Sequence, residues 1–513
     1  MKMLNKFFCI VLCVCIITSV TVFASANTGT VYYVDSIAGD DSNSGLSPDK
    51  AFKTIEKAAS ILYYGGDSVL FKAGGVYVGN FCVMGTSDAS NPITIGSYGE
   101  GSKPLFTSSK ENDPVIALYD ASGWIIENIE ITAPKGTGIL VYYRNACVKD
   151  VVIRNVTLHD IQNYPSDNYL SSSRAAIRLM GSPVAPGAHL ENITVDGCEI
   201  YDCGYGIFTG SNYPNTPETP YNKNIIVENC SIHDLWDDAF IMSDTDTIIL
   251  RNSSIINTCQ SSGIYYTAPV WMWGVTNGLV ENCEIAGAKN VLDGMAVDFD
   301  DHTDHSTFQY IYSHDNVRFM WNCPVNDDHY GNTVRYCLSV NDNITSNGAG
   351  NGNDTAEHDF KFYNNTIVNG STYNFYMYED AVIKNNIFIL EPGYLMKFNR
   401  KYDYDMSNNC YWGVTKPIRD KNSFIALPQF AGEDLTDKNS FILKACSPCI
   451  GAGVQVEENM GEHDFFGNSL DSAHNIGCYE GDGVEGKKEY PTICDIIVSM
   501  FTAISRLISD LFD

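Results

Sequence analysis

Ile126-Glu127-Asn128-Ile129-Glu130-Ile131 and Ile153-Arg154-Asn155-Val156-Thr157-Leu158 share one pattern, Val/Ile-x-Asn-x-x-Ile/Leu. The pattern returns as Val227-Glu228-Asn229-Cys230-Ser231-Ile232 and as Val280-Glu281-Asn282-Cys283-Glu284-Ile285. Degenerate copies centre on Gly197, Asn252, Tyr310, Tyr336, Asn364, Asn385 and Asn408, so ten steps cover 280 residues at a mean of 28 per step. Each step holds short β-branched runs broken by Asn, Asp and Gly, with no helical period. A unit this small cannot bury its own apolar face and must stack on its neighbours. The repeat therefore predicts a β-solenoid. Asn at one fixed turn adopts left-handed backbone angles and can hydrogen-bond its equivalents in a ladder.

Outward from the repeat, composition sets limits. Hydrophobic residues make up 44% and charged residues 18%, which excludes disorder and leaves a large core for 513 residues. Acidic residues outnumber basic ones 62 to 32, a net charge of −30, which argues against nucleic acid and anionic lipid as partners. Such a field also repels bare polyuronates unless a divalent cation bridges the two. Aromatics reach 12%, with 31 Tyr, a composition that suits a secreted carbohydrate-handling protein.

At the N-terminus, Lys2 and Lys6 precede an apolar run from Phe7 to Val22, and Ala24-Ser25-Ala26 offers a cleavage site. Residues 1–26 are expected to be an export signal, placing the mature chain outside the cell or on its surface. Residues 27–120 are read as a cap with the first coils, 121–425 as the solenoid core and 426–480 as the last coils and cap. A linker at 481–491 leads to 492–513, where apolar residues recur at helical spacing. That amphipathic helix is expected to dock on the end of the solenoid or on an envelope partner, and no span crosses a membrane after signal cleavage. A monomer is expected.

Specific segments carry a resemblance. Tyr32-Tyr33-Val34-Asp35, Gly39-Asp40-Asp41-Ser42-Asn43-Ser44-Gly45 and Ala51-Phe52-Lys53-Thr54-Ile55 stand at the N-terminal end. Cys446-Ser447-Pro448-Cys449-Ile450-Gly451-Ala452-Gly453 and Asn475-Ile476-Gly477-Cys478-Tyr479-Glu480 stand at the other. Together with the repeat, over residues 30–480, they resemble the right-handed parallel β-helix proteins of the pectate-lyase-like superfamily. The resemblance implies an all-β, right-handed parallel β-helix and a secreted, polysaccharide-directed role. It does not choose among lyases, hydrolases, epimerases and adhesins. Ser47 with Pro48 predicts a capping helix running to about Leu62. Roughly a dozen rungs predict a solenoid about 55–60 Å long.

Cys198, Cys230, Cys283 and Cys337 share one place in the repeat and predict an inward stack of small apolar groups. Export also permits a disulfide at the C-terminal cap, Cys449 with Cys478, or with Cys446 as the competing partner.

Chemistry is sought where acids align. The strands Gly206-Ile207-Phe208, Ala239-Phe240-Ile241, Gly263-Ile264-Tyr265, Met295-Ala296-Val297 and Arg318-Phe319-Met320 align in the repeat. Asp238 and Asp293 precede two of them, about 10 Å apart along the solenoid, with Arg318 one coil beyond. The densest run is Asp293-Gly294-Met295-Ala296-Val297-Asp298-Phe299-Asp300-Asp301-His302-Thr303-Asp304-His305. With Met295, Val297 and Phe299 inward, Ala296, Asp298 and Asp300 point outward. Asp298 and Asp300 then stand about 6.6–7 Å apart at Cα, which suits an acid and a base flanking a sugar and a water. Crowding raises one pKa and creates the acid.

Three rival uses of these acids stay open. Asp300, Asp301 and Asp304 could hold Ca²⁺, or the run could be solvated turns. Asp293-Gly294 and Ser313-His314-Asp315-Asn316 are similar to Ca²⁺-dependent lyases of the same superfamily, which take the proton with Lys or Arg. Asp298 stands where such a base belongs, which counts against a lyase and leaves Arg318 as its best base. His314 neighbours the run, but His-Asp recurs at His159-Asp160 and His233-Asp234, which argues for a turn role. Trp236, Trp271 and Trp273 are candidate sugar platforms, and Arg178 a candidate for the cleft floor. The leading reading is a glycoside hydrolase, with a lyase and a glycan-binding adhesin as alternatives.

Overall fold

The computed structural model describes residues 29–489 except 109, 163–173, 212–221, 262–265, 323–329, 343–344, 348–358, 370–372, 377–380, 391–395, 399–403, 415–416, 418 and 471–473. The chain coils as a parallel β-solenoid. One face stacks Pro114–Tyr119, Thr137–Tyr143, Ala175–Gly181 and Tyr205–Ser211, continuing through Phe240–Arg251 and Val270–Glu281 to Met295–Phe299 and Arg318–Asn322. Two of these strands, Phe240–Arg251 and Val270–Glu281, run on past the corner into the second face, which includes Val148–Arg154 and Leu190–Asp196. The third face is a separate 14-stranded parallel sheet from Val76–Val78 to Phe424–Ile425. At about 4.8 Å per strand that sheet is roughly 62 Å long, slightly beyond the expected length.

The repeat turn behaves as its sequence demands. Asn128, Asn155, Asn229, Asn252, Asn282, Tyr310, Tyr336, Asn364, Asn385 and Asn408 all have φ between 50° and 57°, and Gly197 has φ 59°. Asn155 Nδ2 donates to Asn128 Oδ1 at 2.6 Å, and Asn385 Nδ2 to Asn364 Oδ1 at 3.0 Å. A second ladder lies inside, one residue further along. Asn365, Asn386 and Asn409 are fully buried, and each backbone N–H of Asn365 and Asn386 donates to the next side-chain carbonyl, at 3.0 and 2.8 Å. The side-chain amide of Asn386 donates back to Phe362 O at 2.9 Å. Asn386→Ala should therefore cost roughly 2–3 kcal/mol in denaturant unfolding, because it orphans a buried N–H and a buried C=O.

One continuous apolar core fills the solenoid, and Cys198, Cys230, Cys283 and Cys337 lie in it as the repeat predicted. Three expectations need correction. The capping segment is not one helix: Pro48–Lys50 is a single 3-10 turn and only Ile55–Ala59 is α-helical. Between them Phe52 bridges Val34 in extended form, and Thr54, not Ser47, caps the helix through the Lys57 N–H. Cys449 and Cys478 are free thiols in different apolar clusters, Cys449 beside Cys410 and Cys478 beside Leu338. Cys446 is free and exposed. The proposed helix at 492–513 and the export signal lie outside the described residues. Among the described residues no helix is long and apolar enough to cross a membrane.

Candidate active site

The face strand Met295–Phe299 carries the acidic run. Val297 and Phe299 enter the core, and Phe299 stacks on Phe308 with ring centroids 3.9 Å apart. Ala296 also packs in the core, contrary to strict alternation, where the strand leaves its turn. Asp298 stands in register with Trp271 on one side and Trp321 on the other. Trp271 in turn is level with Ile241, and Trp273 with Ser243. Strand spacing thus builds a row of indoles around two carboxyls, with Trp273 on the Asp300 side of Trp271.

Burial separates the three acids. Asp298 is only 8% exposed, and its Oδ1 has no hydrogen-bond partner among the described residues. Burial, then the nearby carboxyls of Asp300 and Asp293, hold it well above the usual carboxylate range. Asp293 and Asp300 are half-buried, and burial pushes each up to about 6. At Asp293 the Arg318 guanidinium opposes that rise, and at Asp300 the Asp301 N–H does so at 2.8 Å. Burial thus favours the neutral form most strongly at Asp298 and raises the two others to about 6.

The turn that presents Asp293 is built from Asn290 and Gly294. Asn290 Oδ1 accepts from the N–H groups of Leu292 (2.9 Å) and Asp293 (3.3 Å), while its amide donates to Ser261 and Thr267. Gly294 has φ +59°, and a Cβ there would meet Asn290 O at 2.3 Å, so only glycine fits. Arg318 donates to the carbonyls of Leu292 and Asp293 and lies over the Trp321 ring at 5.5 Å. Burial lowers its pKa.

Other expected members fall elsewhere. Asp238 is fully buried and accepts from Ala268 N–H (2.8 Å) and the Trp271 indole N–H (3.0 Å). It fixes Trp271 and does not face solvent. The strand after Asp238 pairs with Val270–Glu281, whereas 263–265 lies outside the described residues. That shift puts Met295, not Asp293, level with both Asp238 and Arg318. His314 lies on the third face, with Nδ1 2.9 Å from Asp315 and Nε2 3.1 Å from Glu284. Asp160, Asp234 and Asp315 all have positive φ, and His159, Tyr201 and His233 stack in parallel, so the His-Asp pairs serve the turn. Trp236 sits in the turn before Phe240–Arg251, outside the indole row. Arg178 shares the column of Asp298 but stands four strands away, about 19 Å.

The calcium set does not converge. Asp301 faces His302 at 3.8 Å, and Asp304 accepts from the Tyr330 N–H at 3.1 Å. Asp300, Asp301 and Asp304 do not bring three oxygens within 4.8 Å of one another, so no calcium set forms from them. Sequence reading missed Trp321, Asn290 and the buried pair Arg174–Asp237. Trp321 was within reach, since it is the residue after the aligned Arg318-Phe319-Met320.

Known proteins agree with this architecture. The family described as right handed beta helix region matches residues 114–303, which contain all three acids. A lacto-N-biosidase of Bifidobacterium longum subsp. longum is 24% identical over an alignment covering 90% of this chain. The chain spans only 37% of the length of that relative. Among solved structures, the GH136 lacto-N-biosidase from Eubacterium ramulus superposes with a TM-score of 0.55 at 20% identity, covering 77% of this chain and 68% of that one. A complex of XylC with xylose gives a TM-score of 0.55 at 11% identity, covering 89% and 99%. The stacked parallel coils, the left-handed Asn turn and these matches agree on the fold: the chain is a right-handed parallel β-helix.

Proposed function

We propose that this protein is a secreted glycoside hydrolase that cleaves a glycan across the indole row, with Asp293 and Asp300 as its catalytic carboxyls. The observation that carries the reading is three neighbouring acids on and beside one strand level with a row of indoles, Asp298 buried and Asp293 and Asp300 partly exposed, with burial raising all three. Hydrolysis of a glycosidic bond needs one carboxyl to protonate the leaving oxygen and a second, ionised, to act on the anomeric carbon or its water. With both raised to about 6, one of Asp293 and Asp300 can be protonated while the other is ionised near that pH, and each is partly exposed. At Asp298 burial favours the protonated form, which keeps a third negative charge out of the site. It is therefore a positioning group, and the acid–base pair moves from Asp298/Asp300 to Asp293/Asp300.

Trp271, Trp273 and Trp321 offer flat faces for pyranose rings, and Trp273 is 37% exposed. Trp271→Ala and Trp321→Ala should each raise KM about 3- to 10-fold, from about 0.5–1.5 kcal/mol of ring-face contact. Because burial raises both acids to about 6, kcat/KM should follow a bell centred near pH 6, falling at lower pH as the base is protonated and at higher pH as the acid is lost.

A lyase is less well served. Its best base, Arg318, is committed to two backbone carbonyls and an indole, and no calcium set converges from Asp300, Asp301 and Asp304. The test is incubation with lacto-N-biose-containing oligosaccharides and with plant and microbial polysaccharides. Reducing ends without ultraviolet-absorbing products support hydrolysis. Unsaturated products, or turnover lost on chelation alone, overturn it. Binding with no turnover of any glycan would mark an adhesin.

A further inference from the structure

Cys147, His189 and Glu191 meet at the corner where two successive coils begin the strands Val148–Arg154 and Leu190–Asp196. Cys147 Sγ lies 3.6 Å from His189 Nε2 and 3.7 Å from Glu191 Oε2, and His189 Nε2 lies 3.4 Å from Glu191 Oε2. Three ligands at tetrahedral angles around zinc, with Zn–S about 2.3 Å and Zn–N or Zn–O about 2.05 Å, stand about 3.6, 3.6 and 3.3 Å apart. The triangle already has the dimensions of a zinc site.

The second shell agrees. His189 Nδ1 is 2.7 Å from Gly187 O, so it carries the proton and donates to that carbonyl, which leaves the Nε2 lone pair facing the other two groups. The His189 side chain is only 12% exposed, while that of Glu191 is 40% exposed, so the open side of the triangle faces solvent. A nucleophilic Cys–His pair would want a carboxylate on Nδ1; here the carboxylate sits on the Nε2 side.

We propose that Cys147, His189 and Glu191 bind one Zn²⁺ ion, with a solvent molecule in the fourth position, and so clamp the two coils together. Thiolate and imidazole select a borderline or soft ion over Ca²⁺ or Mg²⁺. The thiol releases its proton on binding, and the thiolate and the Glu191 carboxylate then balance the ion's two charges. The site shares no residue with the proposed catalytic acids and stands independently of them.

The test uses the intact chain, stripped with chelator under reductant and then titrated with Zn²⁺ alone by calorimetry. Co²⁺ serves as the spectroscopic probe. One ion per chain, a higher Tm with Zn²⁺ and a thiolate-to-cobalt charge-transfer absorption are expected. Cys147→Ser and His189→Ala should abolish that absorption or shift it to a weak, unsaturated one. Both should weaken Zn²⁺ binding beyond the roughly 10–100-fold that loss of an outer-shell partner costs. If either variant misfolds by circular dichroism, Glu191→Gln, at a partly exposed position, serves in its place and should still weaken binding. No saturable Zn²⁺ binding, or binding unchanged in these variants, overturns the proposal, as does a cobalt spectrum without thiolate absorption.

Discussion

Asp300→Asn should leave the coil intact and lower kcat on a confirmed glycan by about 10²–10⁴-fold, the usual worth of a positioned acid or base. Asp293→Asn should do the same, and the two together should cost little more than either alone, because the pair acts as a unit. Asp298→Asn differs. Burial already favours its neutral form, so an amide of the same shape should hold most of the activity, with less than about tenfold loss. A loss from Asp298→Asn as large as that from Asp300→Asn would move the general acid back to Asp298 and break the present assignment. Stability supplies an independent readout. Asp300 has a folded pKa of about 6, above its ordinary 3.8, so the folded chain holds the proton more tightly. Stability contributed by this group is therefore present below about pH 4 and lost as pH rises through about 6. Replacing it by Asn should raise Tm at pH 7–8 and change nothing below about pH 4. At most about 3 kcal/mol is relieved.

Arg174→Met should be the most destabilising single change near the site, by about 3–5 kcal/mol. Arg174 Nη1 meets Asp237 Oδ2 at 2.7 Å with side chains 3% and 2% exposed, and the guanidinium also lies over the Tyr205 ring at 5.6 Å. Burial already pushes Asp237 up to about 6 against the pull of Arg174. Without the arginine, the carboxyl must be buried alone or take a proton, so the loss should be greatest at pH 8 and smaller near pH 5. Adding Asp237→Leu should recover much of the stability, because the cost is the unpaired charge and not the lost pair. Asp237 adjoins Asp238, the acceptor for the Trp271 indole, so the single variant should also raise KM. Urea unfolding at the two pH values, with the double-mutant cycle, checks each part. A single variant as stable as wild type at pH 8 would show that the pair carries no such weight.

Much of the fold was legible in one dimension, because a coil cannot bury itself and so writes its period into the chain. A left-handed residue at one turn, usually Asn, and inward β-branched residues recur along the coils, with buried cysteines in four of them. The acidic run at 293–305 was legible for the same reason, as an excess of outward carboxyls on one strand. What the sequence could not order was distance from water. Asp293, Asp298 and Asp300 are chemically identical in the chain, and only the rows above and below decide which is covered. Pairing of 240–251 with 270–281 put Trp271 and Trp321 on either side of Asp298, leaving it buried and its neighbours partly exposed. The same holds for the Cys147–His189–Glu191 corner, where residues some 42 positions apart meet because two coils begin in register. Local pattern determined the coil; the stacking of coils decided which titratable groups meet and how far each is held from solvent.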